Sequence, residues 1–137
     1  MSTIYTAIAT AAGRDGKAVS SDGKLSVTLA RPAELGGDGA GTNPEQLFAA
    51  GYAACFTSAL QLVAARQKLD VTDASATAEV GLGPNGSGGF ALSVVMRVEL
   101  PDHITEAEGK ELLDATHQVC PYSNATRGNI PVEIVRE

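Results

Sequence analysis

The sequence predicts an α+β fold, with largely antiparallel sheet packed on two helices. Three observations carry this prediction. Short runs of period-two apolar alternation recur along the chain, separated by turn residues, and two of them form a hairpin pattern. A long and almost wholly apolar segment follows a helix opening at Asn43 and Pro44. A second helix is announced by Thr105 and Glu108, which have the spacing of a capping box.

Taken in order, Ile4, Thr6, Ile8 and Thr10 alternate with Tyr5, Ala7 and Ala9 as a first strand. Gly13-Arg14-Asp15-Gly16 is a turn, and Lys17–Ser20 continues as a short strand. After a second turn at Ser21-Asp22-Gly23, Leu25, Val27 and Leu29 mark a third strand of an antiparallel meander. Residues 31–41, with Pro32 and several glycines, form a loop that lacks the Gly-Lys-Ser/Thr of a phosphate-binding loop.

The first helix is expected from Pro44 to Lys68, about 36 Å long at ~1.5 Å per residue. Either Asn43 caps it, or Thr42 caps it with Glu45 closing the box. Leu47, Gly51, Ala54, Ser58, Leu62 and Ala65 form one stripe, and Phe48, Tyr52, Cys55, Ala59 and Val63 cover most of the rest. A helix apolar on nearly all sides needs cover all round, and a subunit interface is a natural source of it. The hairpin follows, with Ala74, Ala76, Ala78, Val80 and Leu82 on one strand and Leu92, Val94, Met96, Val98 and Leu100 on the other. The second helix uses Leu112, Leu113, Ala115, Thr116 and Val119 and ends near Cys120-Pro121. A last strand carries Ile130, Val132 and Ile134, and Pro131 sends it to an edge or delays its start. With no repeat or linker visible, one domain over residues 1–137 is expected.

Composition narrows the function classes. The net charge of −6 and scattered basic residues disfavour nucleic acid and anionic lipid as partners. The start Met1-Ser2-Thr3-Ile4-Tyr5 has no basic, apolar leader, and the apolar run Leu47–Leu60 is too short to span a bilayer. A soluble cytoplasmic protein is therefore expected, one in which two cysteines are free or redox-active rather than a structural staple.

Cys55 lies inside the apolar helix, where a small buried hydrophobe is the plain reading. A mid-helix cysteine needs a nearby cation to become a thiolate near neutral pH. Cys120 precedes Pro121, which can start a short helical turn with the cysteine as its cap. Arg14 alone is a turn residue and Glu45 alone a capping residue. His103 and His117 have no metal-ligand spacing with each other or with the cysteines, so they read as surface or structural residues and no metal or cofactor is expected. These residues taken singly leave redox catalysis and packing both open.

Three segments resemble one family. Thr42-Asn43-Pro44-Glu45-Gln46-Leu47-Phe48-Ala49-Ala50-Gly51-Tyr52-Ala53-Ala54-Cys55-Phe56 closely resembles the first signature of the organic hydroperoxide resistance (Ohr) branch of the OsmC/Ohr family. Val119-Cys120-Pro121-Tyr122-Ser123-Asn124-Ala125-Thr126-Arg127-Gly128-Asn129-Ile130 resembles the second, and Gly13 to Asp22 the N-terminal one. The resemblance implies an OsmC-like intertwined homodimer and a thiol peroxidase acting on organic hydroperoxides. It implies recycling by dihydrolipoamide or a lipoylated protein. It matches Cys55 to the peroxidatic cysteine, Cys120 to the resolving one, and Arg14 with Glu45 to the polar pair that tunes the first thiol. Phe48, Tyr52 and Phe56 are then the expected substrate walls. Glu45 and Cys55 stand about 15 Å apart along one helix at ~1.5 Å per residue. That separation implies donation of Glu45 across a twofold interface, with Cys55 and Cys120 from one chain and Glu45 from the other.

Overall fold

The computed structural model describes residues 1–137 and divides into two compact units, Met1–Leu47 and Phe48–Glu137. The first unit holds a three-stranded antiparallel meander of β1 (Ala9–Ala11), β2 (Lys17–Ser20) and β3 (Ser26–Thr28). The expected strand from Ile4 shrinks to three residues, Ala9 to Ala11, paired with Ala18 to Ser20. The reason is the brevity of β2. It ends in the Ser20–Lys24 turn, where the Ser21 amide donates to the Ile8 carbonyl, so residues further back have no strand to pair with. Ile4, Tyr5 and Ile8 consequently stand 99%, 78% and 59% exposed. Their alternation is that of a strand with one buried face, and this chain leaves that face open. The loop after β3 contains a 3-10 turn at Ala33–Leu35, closed by Gly36 in the left-handed region at φ 82°.

Helix α1 (Pro44–Arg66) starts in the first unit and continues through the second. Of the two expected caps, Asn43 is the one used: its Oδ1 accepts from the Gln46 amide at 2.8 Å. The Thr42 hydroxyl instead donates to Gln46 Oε1 at 2.6 Å, and Glu45 turns elsewhere. The helix closes where Lys68, at φ 59°, directs the Leu69 amide back to the Ala64 carbonyl, 2.9 Å away. Tyr52, Phe56, Ala59, Leu60, Val63 and Ala64 are buried, whereas Ala50, Ala54, Ser58, Leu62 and Ala65 are exposed. The all-round apolar helix therefore spends one face on the core and leaves an apolar face of small residues and Leu62 open. Over its full length α1 is long and apolar enough to cross a bilayer, unlike the shorter Leu47–Leu60 run considered by itself. A core helix needs the same two properties, and the inner face of α1 is part of the core cluster.

In the second unit β4 (Ser75–Pro84) and β5 (Phe90–Glu99) form the expected hairpin, and β6 (Val132–Arg136) adds parallel to β5. Central β5 is covered on both edges, and its alternate residues Val94, Met96 and Val98 are almost fully buried. Pro131 acts as its missing donor predicts: the edge strand begins after it, and its carbonyl still accepts from the Val94 amide at 2.9 Å. Helix α2 (Glu106–Val119) carries the complete capping box of Thr105 and Glu108. Its Leu112 and Leu113 join α1 and β5 in one core. A short helix, α3 (Pro121–Thr126), follows directly.

Leu60 is fully buried at the centre of this core. Leu60→Ala should destabilise the fold by about 2–5 kcal/mol, because the lost methyl groups leave a cavity that the sheet fills only partly. Urea denaturation checks this: the midpoint should fall at unchanged slope, and a loss below 1 kcal/mol would contradict the packing described.

Candidate active site

Cys55 lies midway along α1 on a half-buried flank, and Cys120 is fully buried at the joint of α2 and α3. Cys120 ends the first of these helices and caps the second. Its amide donates to the Thr116 carbonyl at 2.9 Å, and its carbonyl accepts from the Asn124 amide at 3.0 Å. Proline at 121 enforces the break, since it has no amide to continue α2 and drives the preceding residue into extended geometry. Cys120 accordingly has φ −60° and ψ 122°.

Packing of α3 against α1 brings together two sulfurs that are 65 positions apart. Cys120 Sγ donates to Cys55 Sγ at 3.4 Å, and both are free thiols. A disulfide bond is about 2.05 Å long, so its formation asks for little more than a 1 Å approach. Burial pushes the Cys55 thiol above its usual range; the Tyr122 backbone amide, which donates to the sulfur, opposes this, and the Cys120 thiol adds to the rise. Deprotonation of Cys55 near neutral pH calls for a nearby positive charge.

The first unit holds an arginine–glutamate pair of its own. Arg14 sits behind Gly13, whose φ of 82° turns the chain sharply. Its guanidinium grips Glu45 in a fork, Nη2 to Oε1 at 2.9 Å and Nη1 to Oε2 at 3.3 Å. Glu45 is mostly buried and Arg14 about one-third exposed. The next residue, Asp15, binds both the Arg31 amide at 3.1 Å and its guanidinium at 2.8 Å, which anchors the turn from its other side. The Arg31 amide and side chain hold the Asp15 carboxyl below the usual range.

The three aromatics expected as walls divide. Tyr52 and Phe56 are fully buried and belong to the core, because their positions on α1 face the sheet; they offer no surface to a ligand. Phe48 is partly open. Beside it lies Tyr122, 39% exposed, with ring centroids 6.1 Å apart. The Tyr122 ring rests on Gly51, where even a Cβ would lie 3.1 Å from the phenolic oxygen. Sequence reasoning missed Tyr122, although it adjoins Pro121 in the second signature.

It also missed a polar cluster beside Cys120. His117 Nδ1 lies 2.7 Å from Ser123 Oγ, which lies 2.9 Å from the Tyr52 hydroxyl. His117 is half-buried in this cluster; burial, followed by the charge of Arg127, pushes its pKa down. No three His, Cys, Asp or Glu side chains converge as metal ligands. A groove of about 820 Å³ bounded by α2 and β6 contains neither cysteine.

Comparison with known proteins places these features in a wider group. Residues 36–135 match the profile of the OsmC-like protein family. An organic hydroperoxide resistance protein of Xanthomonas axonopodis pv. citri is 54% identical over 134 residues, covering 96% of this chain and 93% of its own length. Organic hydroperoxide resistance protein OhrB of Bacillus subtilis is 43% identical over 133 residues and covers 96% of both chains. Among solved structures, an organic hydroperoxide resistance protein from Elizabethkingia anophelis superposes with a TM-score of 0.94 at 46% identity, over 100% of this chain and 99% of that one.

Proposed function

The chain belongs to the OsmC-like protein family, in its organic hydroperoxide resistance branch, and from that premise we propose that it is a thiol-dependent peroxidase reducing organic hydroperoxides to alcohols. The observation that carries this reading is the 3.4 Å approach of Cys55 and Cys120. A packing role asks for no such pairing of two thiols from remote elements.

In this reading the Cys55 thiolate attacks the distal peroxide oxygen. The O–O bond breaks, the alkoxide leaves and takes a proton, and Cys55 becomes a sulfenic acid. The Cys120 sulfur then displaces hydroxide from that sulfenic acid, which departs as water with the Cys120 proton, and a disulfide remains. An external dithiol, dihydrolipoamide or a lipoylated protein, returns both thiols by exchange and is itself oxidised to a disulfide. Arg14 supplies the positive charge that favours the thiolate and the developing charge on the leaving oxygen, and Glu45 holds Arg14 in place. No metal or cofactor enters these steps. Protection against oxidative stress in the cytoplasm, where reduced dithiols are supplied, is the matching physiological role.

The test is steady-state loss of cumene hydroperoxide with the lipoamide, thioredoxin and glutathione systems in parallel. Turnover with the lipoamide system supports the reading, and absence of turnover with all three refutes it. The same assay ranks substrates. Phe48 and Tyr122 offer apolar surface that hydrogen peroxide cannot use, and burial is worth roughly 25 cal/mol per Å². About 55 Å² of extra contact therefore gives cumene hydroperoxide a kcat/KM about tenfold higher. Equal efficiency on both peroxides would contradict this.

The protein is further proposed to act as a homodimer with composite sites. The open faces of α1 and of residues Ile4 to Ile8 call for a partner surface, and a second copy supplies one by symmetry. Since Arg14 and Glu45 are bound to each other, one chain would donate both to the cysteines of the other. A mixed dimer of Cys55→Ser and Glu45→Ala subunits should then regain one complete site. Its activity should approach half that of the native dimer; activity no higher than in the single-mutant homodimers would place Glu45 in cis or outside the reaction.

A further inference from the structure

The two thiols are each flanked, three positions away in sequence, by members of one buried hydrogen-bond chain. His117 precedes Cys120 and Ser123 follows it by that interval, and Tyr52 precedes Cys55 by the same interval. Ser123 Oγ stands 2.7 Å from His117 Nδ1 and 2.9 Å from the Tyr52 hydroxyl, which stands 3.2 Å from Thr126 Oγ1. The Thr126 hydroxyl closes the set by donating to the Ser123 carbonyl at 3.1 Å. Tyr52, Ser123 and Thr126 are essentially fully buried, and no buried side-chain polar atom lacks a partner.

The joint that these bonds cross is a weak point of the backbone. Pro121 removes the amide that would carry α2 into α3, so the angle between the two helices, and with it the aim of the Cys120 side chain, is left to side chains. The His117–Ser123 bond spans the joint. A second tie runs the same way, as the Arg127 guanidinium donates to the His117 carbonyl. Tyr52 then fixes Ser123 to α1, the helix that bears Cys55. A valine or phenylalanine would fill these positions without the burden of satisfying buried hydroxyls. The polar choice brackets both sulfurs.

We propose that His117, Ser123 and Tyr52 form a clamp that positions Cys120 for attack on oxidised Cys55. The proposal rests on the peroxidase reading for its natural oxidant. The step it serves is balanced without further reagents: the Cys120 S–H and the Cys55 S–OH bonds break, the S–S bond forms, and water leaves. Speed in this step protects Cys55, because a sulfenic acid that waits is open to a second peroxide and irreversible oxidation. Burial and the charge of Arg127 push the His117 pKa down, which favours an uncharged ring at a joint that must hold a buried thiol.

The test uses the full reduced chain and two oxidants. With cumene hydroperoxide, stopped-flow measurement and dimedone trapping separate oxidation of Cys55 from disulfide closure. With diamide, Cys55 first adds to the N=N bond and Cys120 then displaces the hydrazine, so closure is timed after a first step that involves no peroxide bond. In Ser123→Ala and His117→Leu, closure should slow about tenfold with both oxidants, the weight of one buried hydrogen bond. Oxidation of Cys55 by the hydroperoxide should keep its native rate, and dimedone adduct and Cys55 sulfinic acid should accumulate. His117→Asn, with an amide where Nδ1 stands, should restore closure. The clamp is overturned if closure is unchanged in both variants, if the two steps slow together, or if His117→Asn is as slow as His117→Leu. If the native chain ignores hydroperoxide while diamide closure still depends on Ser123 and His117, the peroxidase reading fails and the clamp stands. Circular dichroism checks folding, and should Ser123→Ala not fold, the half-buried His117 pair decides.

Discussion

Cys55→Ser is expected to abolish peroxide reduction, and Cys120→Ser to leave one turnover per subunit. The difference follows from where the two sulfurs sit. Cys55 is half-buried and can meet a ligand, whereas Cys120 has no exposed surface and can meet only Cys55, 3.4 Å away. A serine hydroxyl at 55 is too weakly acidic to supply an anion near neutral pH, so the first step stops. A serine at 120 leaves that step intact and stalls at the sulfenic acid, which dimedone should trap on Cys55. Single-turnover activity surviving in Cys55→Ser would sink the assignment of roles. So would a dimedone adduct found on Cys120 in the native protein.

Arg14→Ala should lower the rate of Cys55 oxidation at pH 7 by roughly 10- to 1,000-fold, since an adjacent opposite charge lowers a pKa by about 1–3 units. The direction with pH follows from the environment of the thiol. Burial raises the Cys55 pKa, so in the proposed composite site loss of the guanidinium should move thiolate formation to more alkaline pH. Below that pKa the variant should gain about tenfold in rate for each pH unit, and it should approach the native enzyme in alkaline buffer. Arg14→Lys should recover only part of the loss, because an ammonium keeps the charge but not the two-pronged grip on Glu45. The pH profile of iodoacetamide alkylation of Cys55 reads the thiolate directly. Identical profiles for the native and Arg14→Ala proteins would remove Arg14 from the reaction.

Much of the fold is legible in the sequence because its signals are local. Alternation over ten residues marks β4 and β5, and the Thr105–Glu108 box starts α2 where expected. Pro131 delays β6, and Cys120-Pro121 separates two helices as its chemistry requires. Each signal acts over a few residues and needs no knowledge of the rest of the chain. The N-terminal run shows the limit. Ile4 to Ile8 alternate as well as any strand, but a strand exists only with a partner, and β2 is too short to provide one. Likewise the two possible caps of α1 were equivalent in sequence. Asn43 took the role and Glu45 was left for Arg14, a residue 31 positions away.

The site divides in the same way. Taken one at a time, Cys55, Cys120, Arg14 and Glu45 read as packing, helix-ending, turn and capping residues; their roles come from family likeness in the three segments that hold them. The sequence by itself determined the element order and the family, since both reside in residue type and short-range spacing, and it offered Cys55, Cys120, Arg14 and Glu45 as candidates. Only the tertiary structure decided which of these residues meet. It brought Cys120 onto Cys55, turned Tyr52 and Phe56 into the core and left Tyr122 beside Phe48, and linked His117 to Tyr52 through Ser123. The physical reason is that periodicity tells which face of a helix is apolar, while the face that turns inward is chosen by the sheet and helices that pack against it.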